Sequence, residues 1–219
     1  MEQTKVYPTN TIRTASDRRR YHFTKRMVDV VFAAVGLVVL LIPMALIALL
    51  VRLESPGPAI FIHERIGKNG KPLRLLKFRT MYADAEMRIA EFSPAQMEEW
   101  RKNFKLEDDP RITRIGKFLR RSSMDELPQL VNILKGELSL VGPRPVVGEE
   151  LLKYGENRDK FLSVTPGLTG YWQAYARSTC TYEKRIEMEL YYVDHACFWW
   201  DIRIMFHTVW AVLSGFGAK

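Results

Sequence analysis

The 219-residue chain is poor in the residues that build metal or disulfide scaffolds. Its two cysteines, Cys180 and Cys197, cannot make a disulfide framework, and no CxxC spacing points to structural zinc. Four histidines argue against a multi-histidine centre, and His195 with Cys197 lacks a third ligand, so both are expected to be structural. Thirteen glycines and eleven prolines exclude a collagen-like or low-complexity chain. No P-loop, Rossmann glycine pattern, G-x-S-x-G elbow or zinc finger is present, which disfavours an NTPase, dehydrogenase, hydrolase or nucleic-acid reader. Apolar residues make up 47% of the chain, too many for a disordered protein. Lys and Arg number 33 against 25 Asp and Glu, a formal charge of +8. That surplus favours an anionic partner: nucleic acid, a lipid surface or a phosphorylated metabolite. The scarcity of cysteine makes a reducing, cytosol-facing compartment the default.

Charge is also missing locally. Val30 to Val51 is a run of 22 uncharged residues, about 33 Å long as a helix at ~1.5 Å per residue and long enough to cross a bilayer. It exceeds a signal-peptide core and no small-residue cleavage motif follows. Two features oppose a straight span. Pro43 lies inside the run, where the missing N–H and the ring favour a kink. Basic residues flank both ends, Arg13, Arg18, Arg19, Arg20, Lys25 and Arg26 before it, and Arg52, Arg65, Lys68, Lys71, Arg74, Lys77 and Arg79 after it. If both flanks obey the positive-inside tendency, the segment enters and returns on one face. A re-entrant helix-break-helix with its break at Pro43 is therefore predicted.

Residues 1–24 read as a basic tail, 25–53 as the re-entrant segment and 54–219 as one cytosolic, membrane-associated domain. Glu54-Ser55-Pro56-Gly57-Pro58 ends the helix. Ala59–Ile66 and Leu73–Arg79, separated by Gly67–Gly70, predict a β-hairpin. A helical pattern runs from Tyr82 to about Lys105 with a break near Ser93-Pro94, and it suits a bilayer surface or a core equally. Further helices are predicted over Ile112–Arg121, Met124–Lys135, Gly148–Phe161 and Tyr182–Val193. Leu138–Val141 is a short apolar run, and Thr165–Arg177 a glycine-punctuated loop with a short strand. Cys197–Phe216 is amphipathic and rich in Trp, which prefers the bilayer interface. The fold class is thus α+β, mostly helical, with a small hairpin and amphipathic interfacial helices.

The stretch most suggestive of chemistry surrounds Asp125-Glu126, preceded by Arg120, Arg121, Ser122 and Ser123. Ser123-Met124-Asp125-Glu126 fits the S-x-x-E capping box, which explains the acidic pair structurally. A carboxylate near cations at a helix start is equally suited to attack phosphorus and to hold Mg²⁺ through oxygen. Both readings stand, since a helix start is itself an anion site. Arg144, between two prolines, is either a fixed phosphate-binding guanidinium or the exposed arm of a rigid turn. Lys77 and Arg79 alternate around Phe78 and share one strand face, which contacts either substrate phosphate, or solvent or lipid headgroups.

Taken together these segments resemble the monotopic polyprenyl-phosphate phosphoglycosyl transferases, the bacterial sugar transferase family. The motifs are Lys25-Arg26 with Asp29, KFRTM at 77–81, DPRIT at 109–113, SSMDELPQL at 122–130, LSLVGPRP at 138–145 and PGLTGYWQ at 166–173. The resemblance implies a re-entrant helix kinked at a proline and a two-step transfer with Asp125 as nucleophile toward a UDP-sugar and polyprenyl phosphate as acceptor. It makes Glu126 the assisting carboxylate, with Mg²⁺ beside Asp125. Lys77, Arg79, Arg120, Arg144, Arg177 and Asp201 are its supporting substrate contacts. Ala176-Arg177 replaces the family's Gly-Arg, and Ile42 the serine that precedes the proline in some members. The resemblance further implies the cytoplasmic face of a bacterial inner membrane, lipid contacts and room for a homodimer, in a short member or the catalytic part of a longer one. Nucleic acid is not an expected partner. The rival reading is a non-catalytic basic adaptor attached to the membrane.

Overall fold

The computed structural model describes residues 15–103, 106, 108–176 and 180–214. Ten helices and four short strands occur among them, in an α+β arrangement dominated by helix. α1 (Ala15–Val39) and α2 (Leu41–Glu54) carry the uncharged run. The break falls at Leu40, not at Pro43. Pro43 is the third residue of α2; it has no N–H for the Val39 carbonyl four residues back, so the interruption lies one turn upstream of the proline. Met44 N–H then resumes the ladder on Leu40 O at 2.8 Å. No single described helix is long and apolar enough to cross a membrane, but α1 and α2 together pass that test as a pair bent at the break. α1 includes residues 15–24 of the expected 1–24 tail, where Tyr21 bonds Asp201 far along the chain.

The chain divides into two compact units. Residues 40–61 and 76–128 form one, which contains α2, α3 (Pro94–Asn103) and α4 (Arg114–Ser122). Its apolar centre is Val51, Phe78 and Leu119, flanked by Met44, Ile47, Ala59, Ile115 and Leu127. The expected helix from Tyr82 is a 3₁₀ turn, Met87–Glu91, followed by α3, with the break at Phe92-Ser93. Phe104 and Lys105 lie outside the described residues.

The other unit comprises residues up to Val39, 62–75 and those from Gln129 onward. It holds α1, α5 (Gln129–Lys135), α6 (Gly148–Leu152), α7 (Arg158–Leu162), α8 (Tyr171–Tyr175), α9 (Tyr182–His195) and α10 (Phe198–Leu213). Trp200, Ile204, Tyr192, Val141 and Ala174 form one core, and Val146, Leu151, Tyr154 and Phe161 another. The predicted hairpin is present as β1 (Ile60–Ile66) and β2 (Pro72–Phe78), paired in a two-stranded sheet. A second pair, absent from the sequence expectations, runs parallel: β3 (Ser139–Val141) against β4 (Gly167–Thr169), with Ser139 opposite Gly167 and Val141 opposite Thr169.

The carboxylate pair and the lysine behind it

The site is built by β2, α4 and the turn after α4. In the KFRTM stretch each residue serves a different neighbour. Phe78 enters the apolar centre, and Lys77 Nζ reaches Glu126 Oε1 at 2.6 Å and Asp125 Oδ2 at 3.9 Å. Arg79 is buried, and its guanidinium donates to Pro56 O at 3.0 Å, to Val51 O at 3.5 Å and closely to Ser55 O. It therefore caps the last carbonyls of α2 instead of lying open as the substrate contact expected from the sequence. Gly57 makes room for it, since a Cβ there would stand 2.5 Å from Arg79 Nη1. Thr80 accepts Arg120 Nε–H on Oγ1 at 2.8 Å, and its carbonyl accepts Thr113 N–H at 3.1 Å.

The DPRIT stretch seats α4. Asp109 takes Arg111 Nε at 2.9 Å and Nη2 at 2.7 Å in a fork, with Arg111 N–H also on Oδ1. Thr113 is the N-cap of α4, its hydroxyl accepting Gly116 N–H at 2.9 Å. Glu54, at the end of α2, adds a second cap: its carboxylate accepts Arg114 N–H at 2.8 Å and Ile115 N–H at 3.0 Å. Gly116 lets α4 lie on Thr80, since a Cβ there would be 2.0 Å from Thr80 O. Arg120 and Arg121 end α4, where cations favour the carbonyl end of the helix dipole.

Ser123 corrects the capping-box expectation. It has left-handed backbone, φ 58°, ends α4 through its N–H on Arg120 O, and makes no side-chain cap. The helix expected over Met124–Lys135 is a single 3₁₀ turn, Met124–Glu126, and α5 resumes after Pro128. The reversal at Ser123 presents Asp125 and Glu126 on a tight turn above Lys77.

The two carboxylates differ in environment. Glu126 is hydrogen-bonded by Lys77, whereas Asp125 has the ammonium nearby but beyond hydrogen-bonding distance. Burial pushes the Asp125 carboxyl above the ordinary carboxylate range; Lys77 opposes this, Glu126 adds to it and Arg120 opposes it. No group of three His, Cys, Asp or Glu suited to a metal occurs among the described residues. Mg²⁺ needs only one or two carboxylates when substrate phosphates and water complete its shell, so the Asp125-Glu126 donor set fits it.

The remaining expected residues lie elsewhere. Arg144 follows β3 in the unit that begins again at Gln129; its N–H donates to Glu189 Oε1 at 3.2 Å and its side chain is half-buried. Asp201 is buried in that same unit and accepts Tyr21 OH at 2.8 Å, Lys25 Nζ at 2.7 Å and Tyr192 OH at 2.6 Å. Those bonds tie α1 to α9 and α10. Arg177 lies outside the described residues. Lys77, Arg120, Asp125 and Glu126 are the predicted residues that cluster in one unit; Arg79 lies in the same unit but binds the end of α2. Sequence reasoning passed over Thr80 and Glu54. Thr80 lies within the KFRTM motif, whereas the capping target of Glu54 is 60 residues away.

The described fold is thus mostly helical α+β, with a carboxylate pair held over a lysine beside an arginine and one bent apolar helix pair. The sequence matches the family described as Bacterial sugar transferase over residues 20–215, and the chain belongs to that family. It is 42% identical over 199 residues to a UDP-galactose-lipid carrier transferase of Erwinia amylovora, covering 90% of this chain and 42% of that protein. It is 40% identical over 204 residues to an undecaprenyl-phosphate galactose phosphotransferase of Salmonella typhimurium, covering 92% and 43%. It is 42% identical over 198 residues to the exopolysaccharide production protein ExoY of Sinorhizobium fredii, covering 89% and 88%. The chain thus spans less than half the length of the first two relatives and most of the third.

Proposed function

We propose that the protein transfers a sugar phosphate from a UDP-sugar to polyprenyl phosphate, initiating polysaccharide or other glycan assembly at the cytoplasmic face of the bacterial membrane. The observation that carries this is the asymmetric hold of Lys77 on the Asp125-Glu126 pair. A nucleophilic carboxylate needs a cation close enough to keep it ionised and a lone pair not committed to that cation. Asp125 has Lys77 near enough to oppose the effect of burial while leaving its oxygens uncommitted to that ammonium, whereas Glu126 is bonded to it.

The Asp125 carboxylate oxygen attacks the β-phosphorus; an O–P bond forms, the bond to the bridging oxygen breaks and UMP departs. A phosphate oxygen of polyprenyl phosphate then attacks the same phosphorus, which returns Asp125 to its carboxylate and yields the diphosphate-linked sugar. Lys77 and Arg120 offset charge on the phosphoryl oxygens during both displacements. Glu126, fixed by Lys77, orients the reacting group and handles a proton. Asp125, with the substrate phosphates, would hold Mg²⁺, which would supply further charge neutralisation there.

Membrane association is supported by apolar side chains left exposed. α2 exposes Leu41, Ile42, Leu46, Leu49, Leu50 and Leu53, and α10 exposes Trp199, Phe206, Val209 and Trp210. Re-entry is supported within one unit. Arg18 and Lys25, before the uncharged run, share a cavity with Lys68, which follows it, and this proximity is in keeping with flanks on one side.

The test is UMP release by detergent-solubilised protein given Mg²⁺, polyprenyl phosphate and a panel of UDP-sugars. Release from at least one sugar is expected. Silence across the panel contradicts the reading and leaves the basic adaptor in its place.

A further inference from the structure

Much positive charge lies in a place the proposed reaction does not use. In the unit holding α1 and α5–α10, a cavity of about 670 Å³ is lined by Arg18, His22, Lys25, Arg26, Lys68 and Lys160. It shares no residue with the Lys77, Arg120, Asp125 and Glu126 cluster. Two of its cations are neutralised in place, Lys25 on Asp201 at 2.7 Å and Lys160 on Asp194 at 2.7 Å. Arg26 is fixed without being neutralised: Nη1 donates to Ile133 O at 2.6 Å and Nη2 to Leu134 O at 2.7 Å. Arg18 and Lys68 form no ion pair among the described residues. Arg18, Arg26 and Lys68 therefore face one remaining lining carboxylate, Asp29, which already accepts Leu140 N–H at 2.9 Å.

The field of this arrangement is felt by His22. Its imidazole is held below its ordinary pKa by burial first, and then by Lys68, Lys25 and Arg18. Three cations from two separate chain segments thus converge on one wall, and such a concavity concentrates anions. The volume matches a small-molecule site, and Leu138, Val164 and Ala196 give it an apolar side against which a non-charged portion can rest.

We infer that this cavity is a binding site for a phosphate-bearing ligand of about nucleotide size, separate in its residues from the Asp125 site. Arg26, held on two backbone carbonyls without an acidic partner, is preorganised in its lining, and the exposed Arg18 and Lys68 supply the remaining charge to the phosphate. The ligand is either a soluble phosphorylated compound or the phosphate of a lipid headgroup, since both offer the oxygens that arginine and lysine bind. The inference does not rest on the proposed transfer reaction, and its test requires no turnover.

The full chain is placed in phosphatidylcholine nanodiscs at ~150 mM salt, where weak surface attraction is screened, and titrated calorimetrically with inorganic pyrophosphate without divalent cations. Saturable binding is expected. It should weaken by about tenfold or more when Arg18→Glu and Lys68→Glu are combined, less with the two glutamine substitutions, and stay unchanged in Lys71→Gln, an exposed lysine outside the cavity lining. Both altered residues are exposed, so circular dichroism should be that of the parent. Absence of saturable binding overturns the site. So does equal affinity in the charge-reversed variant, or an equal loss of binding in Lys71→Gln, which would make the attraction one of the surface at large. Native mass spectrometry from phosphatidylglycerol-containing discs separates the sources. A lipid retained by the parent and lost in the charge-reversed variant identifies a headgroup site, and no retained lipid identifies a soluble ligand.

Discussion

Asp125 and Glu126 are adjacent in sequence, and one lysine makes them chemically unlike. Because burial raises the Asp125 carboxyl, it stays protonated at pH values where a free aspartate is ionised, and in the proposed transfer only the ionised form would attack phosphorus. Turnover should therefore fall on an acid limb above the ordinary carboxylate range. Lys77 lowers that carboxyl, so Lys77→Met should move the limb to higher pH; Glu126 raises it, so Glu126→Gln should move it lower. The stability sign follows the same shift: a raised carboxyl stabilises the fold at low pH and loses that contribution as pH rises through its raised value. A pH–rate profile of the three proteins checks this, and an acid limb that neither substitution displaces would contradict it.

At the scale of elements, α4 and the end of α2 form one support for the carboxylate turn. Glu54 caps α4, and Arg79 takes the carbonyls that finish α2. Replacing the buried Arg79 with methionine strips those carbonyls of charged donors, a loss of about 3 kcal/mol. That should lower the melting temperature in detergent by roughly 6–12 °C; an unchanged melting curve would show that Arg79 does not hold α2. These roles mark where sequence reading reached its limit. The hairpin, the helix after DPRIT and the acidic pair were legible because periodicity, turn residues and charge act over a few positions. Ser123 was misread because a serine three residues before a glutamate looks the same whether it starts a helix or ends one in left-handed backbone. Arg79 alternates with Lys77 on a strand, but its target carbonyls lie 23 to 28 residues away. Asp201 depends on Tyr21 and Lys25, 180 and 176 residues distant. The parallel pairing of β3 with β4 joins runs too short to show a period.

Across the whole molecule, the placement of charge and apolar surface makes one topological claim. The basic start of α1 is bound to Asp201, and its neighbour Arg18 shares a cavity with Lys68 from beyond the uncharged run. A spanning helix would put those groups on opposite sides of a bilayer. Single cysteines introduced as Arg20→Cys and Lys68→Cys, with Cys180 and Cys197 replaced, should both react with an impermeant reagent only from the cytoplasmic side. Labelling from opposite sides would contradict the re-entrant arrangement. The central claim, that Asp125 carries the sugar phosphate between donor and lipid, is tested most directly by intact-protein and peptide mass spectrometry after incubation with the accepted UDP-sugar and no polyprenyl phosphate. An added sugar phosphate is expected on the peptide containing Asp125, removed when polyprenyl phosphate is supplied and absent in a folded Asp125→Asn variant. UMP release with an unmodified Asp125 peptide, or a modified and active Asp125→Asn variant, would contradict it.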